Sequence, residues 1–322
     1  MLSVYVPGPQ GLVRASCTAA TIPDEAIWID LLDPTQDEEK QVEARLGIEV
    51  PTREEMLEIE ASSRLYEESG ALYMTATVVT KLDTELPVSS QVTFILAGAR
   101  LVTNRYVDPL PFRRFASYAE RHTANCNTAP AVLAGILEAI INRIADVIER
   151  VGSDLDRISG TVFINRKRRN TTADFRKILE RVGQSGEIIS KARESLVSLG
   201  RLLIFLQQAA SQTLAQDVRA RYRTLGRDVL ALSDHASFLG NKNSFILDAT
   251  LGMISIDQND ILKIFSLVTT FFLPPSVIGA IYGMNFERIP WSHEPWGFAA
   301  ALVLMVVSAL VPYLVFKRRG WL

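Results

Sequence analysis

The period of the apolar positions changes along this chain, and each change marks a different kind of element. Over residues 1–108 the apolar residues come in short β-branched runs: Val4–Val6, 11–16 (GLVRAS), and Ala26–Leu32, which stops at Asp33-Pro34. Further runs follow at 72–82 (LYMTATVVTKL) and at 90–106, where a Gly98 turn separates two strands. Between them, residues 35–47 and 52–62 read as helices, and residues 109–122 resume as helix. Thr35 stands three residues before Glu38, the spacing of a capping box. This alternation predicts an α/β domain over residues 1–128.

From Ala129 the period becomes helical throughout. Val132, Leu133, Ile136, Ile140, Ile141, Ile144, Val147 and Ile148 form one stripe, and after a break near Phe163–Thr172 helix resumes over about 173–208. Residues 129–211 are therefore expected to form a helical hairpin. The break carries Arg166-Lys167-Arg168-Arg169, read as a solvated turn, with an acidic-lipid or neighbouring-subunit patch as the other reading. From residue 212 the helical pattern meets no proline before Pro274. One helix over 212–284 would be about 110 Å long at roughly 1.5 Å per residue, more than a small domain can bury. It needs partners, and copies of itself are the simplest, so the chain is expected to be a homo-oligomer.

The last part of that helix is uniformly apolar. Ile264–Phe286 holds no charged residue, enough to cross a bilayer, and Trp296–Phe316 is a second such run. The expected layout is a first span at about 261–284, a loop at 285–295, a second span at 296–316 and a basic tail, Lys317, Arg318 and Arg319, within 317–322. The loop between the spans holds Arg288 against Glu287 and Glu294, so the charge asymmetry puts the tail on the cytoplasmic side. The start, MLSVYVPG, has no leader pattern, so the N-terminal domain is expected on that same side. The expected location is a bacterial-type inner membrane, crossed twice.

Within the first span a spacing of three and four residues collects Asn259, Leu262, Ser266, Thr269, Leu273, Ser276 and Ala280. The other face carries Ile264, Phe271, Phe272 and Ile278. A stripe of hydroxyls and small side chains suits a helix that lines a shared aqueous path. Helix–helix hydrogen bonding without a pore is the alternative. Pro274-Pro275 removes two backbone donors inside the span, leaving carbonyls for water or neighbours to satisfy.

Composition narrows the classes. Residues 1–130 hold 19 Asp/Glu against 11 Lys/Arg, a net of −8, within a whole-chain net of −2. That balance does not suit a nucleic-acid binder, and no glycine-rich phosphate loop follows any predicted strand, so neither nucleic acid nor nucleotide is expected. His122, His235 and His293 lie in separate segments without catalytic or metal-site spacing, so neither an enzyme nor an organic cofactor is expected. His235, beside Asp234, reads as a polar inter-helix contact, with a metal or pH-sensing role its minor reading, and His293 as a solvated loop residue, with Zn²⁺ binding its minor reading. Cys17 and Cys126 read as buried free thiols rather than a disulfide.

Tyr282-Gly283-Met284-Asn285-Phe286, at the outer end of the first of two C-terminal spans, resembles the signature of the CorA family of divalent-cation channels. The ending from Pro312-Tyr313 to Trp321-Leu322 is similar to that family's basic tail. The resemblance implies a funnel-shaped homopentamer in which the long helix lines the pore and the second span forms an outer ring. It implies Mg²⁺ as both the transported ion and a regulatory ligand, with Gly283, Met284 and Asn285 at the outer mouth. Asn259 matches the asparagine at the inner end of the span, and Leu262, Phe265 and Leu273 match the hydrophobic constrictions. Regulation in the family uses carboxylates near the stalk, for which Asp228 and Asp234 are the candidates here.

Two departures stand out. Trp291 follows Pro290 where the family usually has an acidic residue, leaving Glu287 or Glu294 to supply a negative outer field. The basic run Arg166–Arg169 replaces an acidic turn. A zinc, Co²⁺ or Ni²⁺ transporter of the same superfamily is the runner-up, though Met284 favours Mg²⁺. A non-conducting membrane-anchored sensor or scaffold is the reading from another class.

Overall fold

The computed structural model describes residues 1–15, 22–58, 60–81, 87–122, 126–163, 172–210, 214–285, 289–291 and 294–319. Cys17, Arg166–Arg169, Glu287, Arg288 and His293 lie outside these. The chain divides into two compact units, Met1–Asp248 and Ala249–Leu322.

The first unit is built on a seven-stranded sheet ordered β2-β1-β3-β7-β6-β5-β4. Its strands are β1 (Leu2–Pro7), β2 (Leu12–Ala15), β3 (Trp28–Leu32), β4 (Leu65–Glu68), β5 (Ala71–Thr80), β6 (Val88–Ala97) and β7 (Arg100–Arg105). Every pairing is antiparallel except β3 with β7, in register Trp28↔Leu101. The sheet is therefore mixed: β1–β2 and the run β4–β5–β6–β7 pair strands that follow one another, whereas β1–β3 and β3–β7 pair strands that do not. Central strands such as β5, buried at seven consecutive positions (Tyr73–Val79), are covered on both faces and read as near-continuous apolar runs.

Turn chemistry sets two registers. In the β4–β5 hairpin Ser69 and Gly70 both take positive φ, 51° and 75°, and Glu68 pairs with Ala71. Two central residues with positive φ are what a type I′ turn requires, and its twist matches that of the strands. The sequence pattern placed a single helix over 52–62. The structure instead has α2 (Arg53–Met56), α3 (Ala61–Arg64) and then β4. Four-residue pieces carry too little period to separate, and the Ser69-Gly70 turn was the signal that a strand preceded β5.

Helix α1 (Gln36–Leu46) starts with the expected capping box: Glu38 N–H donates to Thr35 Oγ1, and Thr35 N–H donates to Glu38 Oε2 at 3.0 Å. Helix α4 (Leu110–Ala119) follows β7. The centre of the sheet is closed by a buried polar network. Arg105 donates to both oxygens of Asp30, at 3.0 and 2.8 Å, and to Asp108 at 2.9 Å. Its guanidinium lies 4.7 Å from the Phe112 ring centre. Trp28 Nε1 donates to Thr103 Oγ1, which in turn donates to Asp30 Oδ1 at 2.6 Å.

Helices α5 (Ala129–Phe163) and α6 (Thr172–Ala209) pack against each other, and α5 buries 17 residues along its apolar stripe. Helix α7 (Gln216–Tyr282) begins in the first unit and ends in the second. Its early turns pack on α5 and α6: Tyr222 is fully buried and donates to Pro130 O at 2.6 Å, Arg221 bridges Glu138 at 2.8 Å, and Phe245 stacks on Phe163. Burial pushes the Tyr222 hydroxyl well above its ordinary pKa, so it stays a neutral donor. Cys126 is a buried free thiol, also raised by burial. In the second unit the end of α7 packs on α8 (Gly297–Arg318).

Candidate ion pathway

The second unit consists of helices that are almost wholly apolar and almost wholly exposed. Two helices are long and apolar enough to cross a membrane, α7 and α8. In α7 the most apolar stretch has no buried residue, and in α8 only Gly297 and Ala301 are buried. A water-soluble protein hides such a surface in its core, whereas a bilayer removes the reason to hide it.

Helix α7 touches α8 through one face. Phe271 lies 6.3 Å from Tyr313 and 6.1 Å from Phe316, ring centre to ring centre. A Cβ on Gly279 would stand 3.2 Å from Met305 Cε, so the small residue lets the helices come close. The half-buried positions of this part of α7, among them Leu267, Thr270, Phe271, Pro274, Pro275, Ile278 and Gly279, all belong to that side.

The polar seam occupies the other side. Asn259, Leu262, Ser266, Thr269, Leu273, Ser276 and Ala280 are all exposed. At 100° per residue their positions centre roughly opposite the face that meets α8. Leu262, Phe265 and Leu273 are 63, 67 and 59% exposed, large apolar side chains that α8 leaves uncovered. Of the residues assigned by sequence to the apolar face, Phe271 and Ile278 face α8. Ile264 and Phe272 instead remain exposed, because one neighbouring helix covers only part of a cylinder.

The seam hydroxyls bond within their own helix. Thr269 Oγ1 donates to Phe265 O at 2.9 Å and Ser276 Oγ to Phe272 O at 2.7 Å. Each hydroxyl proton is thereby committed, and each oxygen keeps lone pairs pointing away from the backbone. Pro274 and Pro275 deprive Thr270 O and Phe271 O of their usual helical donors, and neither seam hydroxyl serves those carbonyls. The acceptors on the side away from α8 are thus the Thr269 and Ser276 hydroxyl oxygens, whereas Thr270 and Phe271 belong to the side that meets α8.

Helix α7 ends at the three residues of the GMN motif. Gly283 N–H still donates to Gly279 O at 2.9 Å, and Met284 N–H to Ile281 O at 3.3 Å. Asn285 follows in irregular backbone, exposed, with no hydrogen bond to another described residue. In the loop, Trp291 takes φ 62°, and its ring lies 5.7 Å from that of Trp296. Gly297 makes this possible: a Cβ there would fall 1.9 Å from Trp291 O. Glu294 is exposed. The tail residues Lys317, Arg318 and Arg319 are exposed, with Lys317 Nζ 6.0 Å from the Tyr313 ring centre.

Asp228 and Asp234 stand on exposed positions of α7 and are not gathered with other carboxylates. Among the described residues no group of three or more His, Cys, Asp or Glu side chains is placed to hold a metal ion. His235 is exposed and lies 6.2 Å from the Phe238 ring. Sequence reasoning did not find the Phe271–Tyr313–Phe316 contact or the Gly279 approach, because both depend on which helix lies alongside.

Residues 23–318 match the family model described as "CorA-like Mg2+ transporter protein". The chain belongs to this family. It is 33% identical over 297 residues to the magnesium transport protein CorA of Pectobacterium atrosepticum, covering 92% of each chain. It is 32% identical over 322 residues to that of Salmonella typhimurium, covering all of both. Among solved structures it is similar to the complete CorA magnesium transporter of Methanocaldococcus jannaschii, with TM-score 0.78 at 21% identity, covering 100% of this chain and 99% of that one. The N-terminal α/β domain, long helix and C-terminal apolar helix belong to this fold.

Proposed function

We propose that this chain conducts Mg²⁺ passively across a bacterial inner membrane as a homopentamer, with α7 as the pore-lining span and α8 outside it. The observation that carries the proposal is the acceptor-rich seam on α7, turned away from α8 and leading to Gly283-Met284-Asn285. A non-conducting anchor would have no use for that seam. Homologues named for magnesium transport that match the whole chain support the same reading.

Mg²⁺ dehydrates reluctantly, so a pore for it must recognise the hydrated ion. The waters on the ion point their hydrogens outward and need acceptors. The amide oxygen of Asn285 at the outer mouth, the Thr269 and Ser276 oxygens along the seam, and Asn259 at the inner end supply them. The exposed Leu262, Phe265 and Leu273 would form apolar rings where copies meet, able to hold the path shut by dewetting. Glu294 and Glu287 would give the mouth its negative field. Inward movement needs no chemical fuel: a divalent ion gains about 4.6 kcal/mol per 100 mV, at about 2.3 kcal/mol per charge.

Assembly is supported by apolar side chains along α7 that the single chain leaves exposed: Leu230, Phe238, Phe245, Leu251 and Ile256. Burying one fully contributes about 1.5–3 kcal/mol, and a ring of copies would bury them in layers. Asp228 and Asp234, on exposed faces of the same helix, would meet a neighbour's acidic N-terminal domain. Mg²⁺ between them would relieve the repulsion and hold the pore closed when the ion is abundant. Both termini lie in the cytoplasm in this arrangement.

The test is flux into liposomes containing the purified protein, with Mg²⁺, Co²⁺, Ni²⁺ and Zn²⁺ compared under an inside-negative potential. Mg²⁺ influx that rises with the potential is expected. Influx of Zn²⁺ alone would move the substrate to the runner-up, and no flux of any ion would leave an anchor or sensor. Light scattering in mild detergent should give five copies.

A further inference from the structure

The first unit holds a basic cavity that the transport reading does not use. Strand β5 is longer than its neighbour β4: pairing runs only from Leu65↔Met74 to Glu68↔Ala71. Beyond Met74, β5 has no strand beside it on that edge among the described residues, and helix α6 takes the place of one. Ser195 Oγ donates to Thr77 O at 2.7 Å, and Thr77 N–H donates to Ser198 Oγ at 2.9 Å. The mismatch of strand lengths leaves an open cavity of about 380 Å³ between the strand edge and the helix.

Arg64, Arg193 and Arg201 all line this cavity, with Ser190 and Ser198 hydroxyls between them. Arg64 is held in place, its Nε donating to Glu58 O and its Nη1 reaching Thr77 Oγ1 at 3.5 Å. Its Nη2 has no hydrogen-bond partner among the described residues. Arg193 and Arg201, two turns apart on one face of α6, make no hydrogen bond or ion pair with any described residue. Glu194 is the one carboxylate among the described lining residues, and it accepts from Ser89 Oγ at 3.2 Å. Among those residues, three guanidinium groups stand against one carboxylate.

Arginines are seldom gathered in a concave site without an anion to share. Like charges held together destabilise the fold, and a guanidinium fork matches a phosphate or carboxylate oxygen pair. Three forks around one small cavity suit an anion with more than one negative charge and several acceptor oxygens. We propose that this cavity binds a phosphate-bearing anion, held by Arg193 and Arg201 with Arg64 and the serine hydroxyls completing the cradle. The anion could be a soluble di- or polyphosphate or a phospholipid headgroup, since both present the same oxygens. The proposal stands apart from the ion pathway and does not depend on conduction.

The test uses the full chain in nanodiscs of zwitterionic lipid, titrated calorimetrically with inorganic pyrophosphate in Mg²⁺-free buffer. Saturable binding is expected, weakened at least tenfold in the Arg193→Gln/Arg201→Gln double variant. Arg223→Gln, a change at an exposed arginine of α7 outside the cavity, should bind as wild type. The two changed side chains are exposed, so the thermal melt should not fall; if it does, Arg201→Gln alone carries the comparison. Repeating the titration in nanodiscs containing phosphatidylglycerol separates the sources. Unchanged pyrophosphate affinity identifies a soluble ligand. Weakened affinity in wild type, with no lipid dependence in the double variant, identifies a headgroup. Equal affinity of wild type and the double variant, in both bilayers, overturns the proposal.

Discussion

The two units solve the polar-group problem in opposite ways. In the first, the buried charges at the centre of the sheet are partnered within the unit: Arg105 is 5% exposed and satisfied by Asp30, Asp108 and Val107 O. In the second, the seam hydroxyls are exposed and hold only bonds to their own helix, while the apolar side chains beside them have no cover. The first unit holds its charged core network within one chain, although Leu230, Phe238 and Phe245 of α7 stay exposed there. The second displays an apolar surface that the rest of the chain leaves almost wholly uncovered. A core is therefore a poor place to look for this protein's function, and an unsatisfied surface a good one.

The largest effect that would sharpen this contrast is expected at Asn285. Asn285→Ala should cut Mg²⁺ flux by at least tenfold while expression, melting temperature and assembly stay as in wild type, because an exposed residue after a helix end contributes little to folding. Unchanged flux at equal protein levels would break the assignment of the mouth to the GMN residues.

Arg105→Met should do the reverse. It leaves Asp30 buried without its partner, a loss of about 3–5 kcal/mol of stability in the first unit. Chemical denaturation of that unit should shift accordingly. A shift below about 1 kcal/mol would mean that water reaches Asp30 and that the first unit is less self-sufficient than its contacts suggest.

Between these extremes lies the surface of α7. Asp228→Asn with Asp234→Asn should remove the protection that millimolar Mg²⁺ gives the N-terminal unit against protease, and should raise flux severalfold at high Mg²⁺. If Mg²⁺ protects the double variant as well as wild type, other carboxylates do the sensing. If it protects neither and leaves flux unaltered, the protein does not sense the ion through this unit.

The smallest effect concerns the cap of α1. Glu38→Gln weakens the capping box and should cost about 1 kcal/mol at neutral pH. Burial alone would raise the Glu38 carboxyl. The Met1 ammonium at 2.9 Å and the N–H groups of Thr35 and Leu2 outweigh burial and hold it below the ordinary glutamate value of 4.5. A lowered folded-state pKa means that its stabilisation is present above about 4.5 and is lost as pH falls through the lower folded value. Wild type and Glu38→Gln should therefore converge in melting temperature in acid. A gap that persists at low pH would show that the contact does not depend on the charge.

The sequence by itself determined whatever depends on neighbours within a few residues. The Thr35/Glu38 cap, the long helical runs α5, α6, α7 and α8, the uncharged stretch Ile264–Phe286 and the GMN signature are all local patterns, and a helix repeats its pattern every few residues whatever lies beside it. The seam from Asn259 to Ala280 was legible as a stripe for the same reason. Tertiary structure alone decided what faces that stripe: Phe271 meets Tyr313 and Phe316, Gly279 meets Met305, and the seam is left on the far side. It also decided that α2 and α3 stay apart, that β4 stops short of Thr75, and that Arg64, Arg193 and Arg201 share one cavity although 129 residues separate the first two. Contacts of that span are set by how the sheet and helices close on each other, and no period along the chain records them.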